Sequence, residues 1–251
     1  MYQITRGKGE FMQRGFFRIY AKYYDQIYLK RKDYKTEAEL IKSVIEQFEE
    51  KRSKNLLDVG CGTGEHLKHL ISKFKCMGMD VNRSMISIAK KKVPNAKFKV
   101  ADMVKFSLKE KFDVITCLFS AVGYVETFNN MVKTLENFHK HLSEKGLVIV
   151  EPWIFRKDFK EGYVALDTYE NEKVKFARMA TSKILRSKWI IFMHYLIAEK
   201  GEIKYFKELH KMLAVEYEDY IKAFDLAGFK NVRFLKENLW DGGRGLFIAN
   251  G

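Results

Sequence analysis

The amino-acid sequence predicts an α/β fold: an open, mostly parallel sheet with helices on both faces, and an antiparallel β-sheet inserted into it. Three observations lead there. Short apolar runs alternate with amphipathic stretches from Tyr34 to Pro152; residues 163–215 switch to a two-residue alternation; a last helix and two strands then close the chain.

Taken in order, Leu40, Ile41, Val44, Ile45 and Phe48 recur at helical spacing and predict a helix from Tyr34 to about Glu50. "NLLDVG" then reads as a short buried strand. A helix near Glu65 to Phe74, the strand "CMGMD", a helix near Ser84 to Lys92, and the strands "AKFKV" and "FDVITCLFS" follow. A helix near Asn130 to Leu142 and the strand "GLVIVEPW" complete this series, whose spacing suits parallel strands joined by helical crossovers. Beyond Pro152, the runs "KVKFARMATSKI", "KWIIFMHYLIAE" and "EIKYFKELHKMLAV" alternate apolar and polar residues, with turn signals "YENEK", "LRSK" and "EKGE". That pattern belongs to antiparallel strands. The helix "YEDYIKAFDLAGF" and the strands "NVRFLKE" and "GLFIAN" return to the main sheet. The chain thus divides into a helical cap over the site (1–50), a core carrying a glycine loop (51–152), the antiparallel insertion (153–215), and a helix and strands completing the core sheet (216–251).

The 251 residues, 47% of them hydrophobic, can bury a core without crosslinks or metals. Cys61, Cys76 and Cys117 are odd in number and lack zinc-ligand spacing, so they read as reduced core thiols of a cytoplasmic protein. No apolar run is long enough for a signal peptide or a bilayer span, and no membrane partner is expected. Forty-six Lys and Arg against 32 Asp and Glu leave a formal charge of +14, which draws anionic partners. Sign-alternating stretches such as "KTEAELIKSVIEQFEEKRSK" equally fit a solvated, lysine-rich surface of the kind found in heat-adapted proteins.

The stretch "NLLDVGCGTGEHL" places Gly60, Gly62 and Gly64 between a strand and a helix, where backbone N–H groups and a positive dipole end meet a ligand. Glu65 stands where the dinucleotide fingerprint needs its third glycine, and no Gly-Lys-Ser or Gly-Lys-Thr follows, so neither phosphate-binding loop is matched. Asp58 at the strand end favours a ligand carrying an ammonium group. Asp80 ends the second strand, where a carboxylate accepts hydrogen bonds from both ribose hydroxyls. Past the third strand, Asp102 can accept from an adenine amino group while Met103 packs on the ring. In that order, at the carboxyl ends of successive strands, these residues fit S-adenosyl-L-methionine.

"LLDVGCGTGEHL", "MDVN" and "ADM" resemble the motifs of class I S-adenosylmethionine-dependent methyltransferases. The resemblance implies a Rossmann-like sheet and makes Asp58, Gly60, Cys61, Gly62, Gly64, Asp80, Val81, Asp102, Met103 and Leu118 the expected cofactor-binding residues. Four further stretches, "YYDQIYLKRKDYKTEAELI", "FSAVGYVET", "VEPWIFRKDFKEGYVA" and "GGRGLFIAN", are similar to those of dTDP-amino-sugar N,N-dimethyltransferases of the desosamine and mycaminose type. That likeness runs from about Tyr20 to Asn250. It implies N-methylation of the amine of a nucleotide-linked amino sugar, commonly by a homodimer. By position, Tyr24, Tyr34, Tyr124, Trp153, Arg178 and Arg244 would line the sugar and nucleotide site. Tyr124 and Tyr24 are the catalytic candidates, since a phenol such as Tyr124 could orient the amine or accept a proton, directly or through water. Tyr124 stands where some members carry histidine, and Ile154 where those enzymes tend to have a second tryptophan.

Such chemistry needs no metal or covalent nucleophile, because a neutral amine attacks the methyl group of a sulfonium in line. His66 and His69, three residues apart with no third ligand nearby in sequence, read as helix-face residues rather than a metal pair. A nucleic-acid substrate is disfavoured: the fourth strand leads into "LFSAVGYV" and not into Asp/Asn-Pro-Pro-aromatic, and Cys117 follows Thr116 rather than proline.

Overall fold

The computed structural model describes residues 18–49, 52–236 and 244–251. The start of the expected cap and Gly242 and Gly243 of the "GGRG" stretch lie outside the described residues.

Seven strands build the main sheet: β1 (Asn55–Val59), β2 (Lys75–Asp80), β3 (Lys97–Val100), β4 (Phe112–Cys117), β5 (Leu142–Val150), β10 (Lys230–Leu235) and β11 (Leu246–Asn250). Their order is β10-β11-β5-β4-β1-β2-β3. Strands β1 to β5 run parallel, and β11 inserts antiparallel between β5 and β10. Strand residues alternate between two cores, as the pleat requires. Leu56, Val114, Leu147, Ile149 and Ile248 pack beneath α2 (Tyr34–Phe48) and α3 (Glu65–Leu70); Leu57, Ile115, Val148, Val150 and Phe247 pack beneath α5 (Phe128–His141) and α6 (Tyr217–Leu226). Each such fully buried aliphatic side chain contributes about 1.5–3 kcal/mol, which is why these strands are apolar on both faces.

The second sheet is a four-stranded antiparallel meander, β6 (Val164–Glu170), β7 (Val174–Leu185), β8 (Lys188–Glu199) and β9 (Glu202–Leu213). One face packs on α1 (Arg18–Tyr28) and α4 (Arg83–Lys92), through Phe176, Tyr195 and Ile197 against Ala21, Ile27 and Met85. α1 therefore lies between the two sheets, above the carboxyl ends of the parallel strands.

The strand expected as "GLVIVEPW" starts earlier, at Leu142, and ends at Val150; two other boundaries differ from the sequence reading for identifiable reasons. The helix expected to reach Phe74 ends at Leu70, because turn hydrogen bonds from Lys73 and Phe74 back to the Leu70 carbonyl (3.0 and 3.1 Å) fold Phe74 into the core. The strand expected to run through Ser120 stops at Cys117, because Phe119 and Ser120 adopt left-handed backbone (φ 51° and 59°). That bend opens the cleft described next.

Candidate active site

A cleft of about 860 Å³ lies between the carboxyl ends of β1, β2, β4 and β5, helix α1 and the inner face of the second sheet. Every residue named above for cofactor or substrate lines it except Gly64. Gly64 is instead the N-cap of α3, with φ 79°, and a Cβ there would stand 3.3 Å from that of Ala89 on α4. Glycine there permits the tight turn into α3 and its close packing on α4.

The half of the cleft where the sequence reading puts the donor is built from strand ends. Gly60 has φ 74°, and a Cβ would approach that of Ala121 to 2.5 Å, so only glycine lets the β1 loop pass the loop after β4. Asp80 Oδ2 accepts from the Gly62 N–H (3.0 Å) and Oδ1 from the Asn82 N–H (2.8 Å), so the carboxylate fixes the glycine loop while retaining lone pairs toward the cleft. Asn82 caps α4, accepting from the Ser84 N–H at 2.8 Å. Asp58 is buried and accepts from the Thr116 hydroxyl at 2.9 Å. Burial pushes its carboxyl up to about 6; His66 and the Thr116 bond oppose that rise, and Asp80 adds to it. Val81, 68% exposed, and Met103 offer apolar surface beside Asp102.

Glu65, which replaces the third glycine of the dinucleotide fingerprint, is neutralised within the protein. It is buried and ion-paired with Lys92, whose Nζ also donates to Asp25 (2.7 Å) on α1. Asp25 in turn accepts from the Thr63 hydroxyl at 2.7 Å, so one network ties the cap helix to the glycine loop.

The other half, where the sequence reading puts the acceptor, collects aromatic and cationic side chains from separate elements. Tyr24 and Tyr28 come from α1, Tyr34 from the first turn of α2, Tyr124 from the helical turn after β4, Trp153 from beyond β5, and Arg178 from β7. Burial raises the phenols of Tyr24, Tyr34 and Tyr124 well above their ordinary value, so all three are neutral donors. Arg178 is buried and paired with Asp167, its Nε donating at 2.7 Å, while Nη1 donates to the Tyr28 hydroxyl at 3.1 Å. Trp153 Nε1 is buried with no hydrogen-bond partner among the described residues, and Trp153 lines the cleft. An orphaned donor of this kind marks a surface made for a polar ligand.

Arg244, besides lining the cleft, has a structural role. Its Nη1 donates to Ser120 Oγ (3.0 Å) and lies 3.5 Å from Glu151 Oε1, and its guanidinium sits 4.6 Å from the Trp153 ring centre. Glu151 is 1% exposed and accepts from the Phe119 N–H at 2.6 Å. Ser120 Oγ donates to the Pro152 carbonyl at 2.6 Å. Together they hold the left-handed bend at Phe119 and Ser120, strain stored where the site is built.

Several residues in or behind the cleft were not legible. His66 was read as a helix-face residue, but it is buried toward the cleft with Nε2 2.8 Å from Glu37 Oε2, and Lys32 Nζ lies 3.0 Å from the same oxygen. His210 is fully buried, with Nδ1 3.0 Å from Tyr124 Oη. The alternation in "EIKYFKELHKML" places Glu208 and His210 on one strand face, and that parity was the available signal. Among the described residues, no group of three His, Cys, Asp or Glu is arranged to hold a metal ion, and all three cysteines are buried free thiols. No described helix is long and apolar enough to cross a membrane.

Comparison with known proteins matches this geometry. A family model for a methyltransferase domain covers residues 56–146. The dTDP-3-amino-3,4,6-trideoxy-alpha-D-glucopyranose N,N-dimethyltransferase of Streptomyces venezuelae is 33% identical over 233 residues, 92% of this chain and 97% of the relative. The dTDP-3-amino-3,6-dideoxy-alpha-D-glucopyranose N,N-dimethyltransferase of Streptomyces fradiae is 36% identical over 91% of this chain and 89% of its own. The solved structure of SAM-bound CalS10, an amino pentose methyltransferase from Micromonospora echinaspora, superposes with a TM-score of 0.81 at 30% identity, covering 94% of this chain and 97% of that one. With the glycine loop, the acidic strand ends and the inserted sheet all in place, the chain belongs to the class I S-adenosylmethionine-dependent methyltransferases, in the family of the dTDP-amino-sugar N,N-dimethyltransferases.

Proposed function

We propose that the protein transfers a methyl group from S-adenosylmethionine to the amine of a nucleotide-linked amino sugar. The observation that carries this reading is the meeting, in one cleft, of the strand-end carboxylates Asp58 and Asp80 with the phenols of Tyr24, Tyr34 and Tyr124 and the guanidiniums of Arg178 and Arg244. The relatives in S. venezuelae and S. fradiae are named for that class of acceptor. S-adenosylmethionine supplies, when bound, an electrophilic methyl group on a sulfonium. Asp80 suits its ribose, Asp58 its ammonium, and Val81, Asp102 and Met103 its adenine. Tyr24 and Tyr124 orient the acceptor nitrogen for in-line attack, and alignment in a dry pocket supplies most of the acceleration. Arg244 offers donors to the acceptor's anionic part.

Incubating the protein with labelled donor and a panel of dTDP-amino sugars, read by mass spectrometry, tests this directly. Methyl transfer to at least one amino sugar is expected; transfer to RNA alone would sink the reading.

Asp58 gives donor binding a defined pH dependence. Its folded-state value, about 6, lies above the ordinary carboxylate range, so the folded protein binds this proton more readily than the unfolded chain. The ligand-free protein therefore loses stability as pH rises from the ordinary carboxylate range to about 6. A cationic ligand prefers the ionised carboxylate. Donor affinity should rise with pH through that window, and calorimetry in buffers of different ionisation heat should detect proton release near pH 6. Proton uptake would show that Asp58 does not face the ammonium.

We also propose a homodimer through the outer face of the second sheet, where Leu166, Met179, Leu196, Ile203 and Tyr205 are each more than half exposed. Light scattering should give twice the 29.6 kDa chain mass, and Leu196→Lys should halve it.

A further inference from the structure

We propose that His210, braced by Glu208, receives through the Tyr124 phenol the proton that the acceptor amine must lose before it can attack. The inference rests on the amine-methylating reading above and names the route by which that amine becomes a nucleophile.

An aliphatic amine with an ordinary pKa near ~10 enters a neutral solution as ammonium, which has no lone pair to donate. Something in the cleft must take a proton. Tyr124 is 37% exposed, and its hydroxyl is bonded to a histidine that no solvent reaches. His210 Nε2 lies 3.4 Å from Glu208 Oε2, and Tyr195 donates to the same carboxylate oxygen at 3.2 Å. The chain of contacts runs from the cleft through Tyr124 and His210 to Glu208.

The two ring nitrogens are not equivalent. A carboxylate accepts only, so its place at Nε2 puts the proton of the neutral ring on Nε2 and leaves Nδ1 as an acceptor. Tyr124 then donates its hydroxyl proton to Nδ1, and its oxygen can accept from a donor in the cleft. In the step, the substrate N–H bond breaks and its electron pair stays on nitrogen. A new Tyr124 O–H bond forms as the old one breaks, and that proton completes an Nδ1–H bond on His210. One positive charge moves from the substrate to the imidazole, where the Glu208 carboxylate offsets it. Nothing is oxidised, and no co-reactant is consumed.

The surroundings favour passage over capture. Burial, with Tyr28 and Glu208, holds the Tyr124 phenol far above its ordinary value, so it does not persist as a phenolate. The groups facing this relay are Tyr28 from α1, Arg178 from β7, Tyr195 from β8, Glu208 from β9 and Asp80 from β2. Arg178 is already paired with Asp167. A purely structural histidine would satisfy its own strand equally well. It would have no reason to be bonded to the side chain that meets the acceptor.

Two measurements on the full chain decide the matter. Nitrogen NMR of histidine-labelled protein with bound S-adenosylhomocysteine should show neutral His210 protonated at Nε2, with the Nδ1 signal moved by Tyr124→Phe. A proton on Nδ1 overturns the relay. In steady-state assays, His210→Gln and Tyr124→Phe should each lower kcat about 100-fold near neutral pH, within the range for general acid–base groups, with both KM values within about threefold. The deficit should shrink toward pH ~10, where the amine is already neutral, and the double variant should be no slower than Tyr124→Phe. Losses that are independent of pH, or that multiply in the double variant, overturn the proposal. Tyr124→Phe removes one oxygen at the cleft surface, so it stays informative if His210→Gln fails to fold. A wild-type protein that methylates no amino sugar would sink the acceptor reading, while the NMR result still decides the proton's position.

Discussion

Asp80→Ala is expected to weaken S-adenosylmethionine binding about 100-fold, close to 3 kcal/mol, with little change in acceptor KM once donor is saturating. Each hydrogen bond from a ribose hydroxyl to a carboxylate contributes about 1.5–3 kcal/mol, and the substitution would remove those proposed for Asp80. It also frees the loop, because Asp80 holds the Gly62 and Asn82 amides at 3.0 and 2.8 Å. Asp80→Asn keeps one acceptor oxygen, so its loss should be intermediate, about tenfold. Calorimetric titration of the three proteins with donor measures this series. Affinity within threefold of wild type for Asp80→Ala would show that the ribose lies elsewhere.

The donor half was legible because its chemistry is local. A strand, three glycines, a helix and an acidic residue at the next strand end sit within a few tens of residues, and strand topology brings such ends together without further instruction. The packing demand at Gly64 was not legible in the same way: the sequence shows the glycine, but only the fold brings Ala89 within 3.3 Å of where its Cβ would stand. The acceptor half was legible only through resemblance. Tyr24, Tyr124, Arg178 and Arg244 are spread over more than 200 residues, and no spacing rule relates them. Their partners were beyond reach for the same reason. Nothing in the sequence couples His210 to Tyr124, 86 residues away, or Arg178 to Tyr28, 150 residues away. Such contacts arise from how the inserted sheet closes over α1, a packing outcome that strand periodicity does not encode.

Arg244→Ala is expected to lose acceptor affinity and stability together, because the same guanidinium serves the cleft and a buried carboxylate. Glu151, 1% exposed, keeps the Phe119 amide at 2.6 Å but loses the nearby cation. Breaking a fully buried pair costs about 3–5 kcal/mol. Arg244 is 23% exposed at its side chain, and Lys32 still opposes the charge on Glu151, so about 2 kcal/mol is the reasonable figure. For a chain of this size that lowers the melting temperature by roughly 4–8 °C. Burial already holds the Glu151 carboxyl above its ordinary range in the folded protein, and losing Arg244 raises it further. The folded variant thus binds the proton more tightly than the unfolded chain, and its deficit shrinks as pH falls through the Glu151 transition. The double substitution Arg244→Ala, Glu151→Gln removes the unpaired charge yet leaves an oxygen for the Phe119 amide, so it should recover most of the lost stability. Acceptor KM should remain at least tenfold raised in both variants, while donor affinity in the double variant stays near wild type. If the double variant restored acceptor KM as well, Arg244 would act only by holding the bend at Phe119 and Ser120, and the anionic part of the acceptor would have to be met by another cation of the cleft.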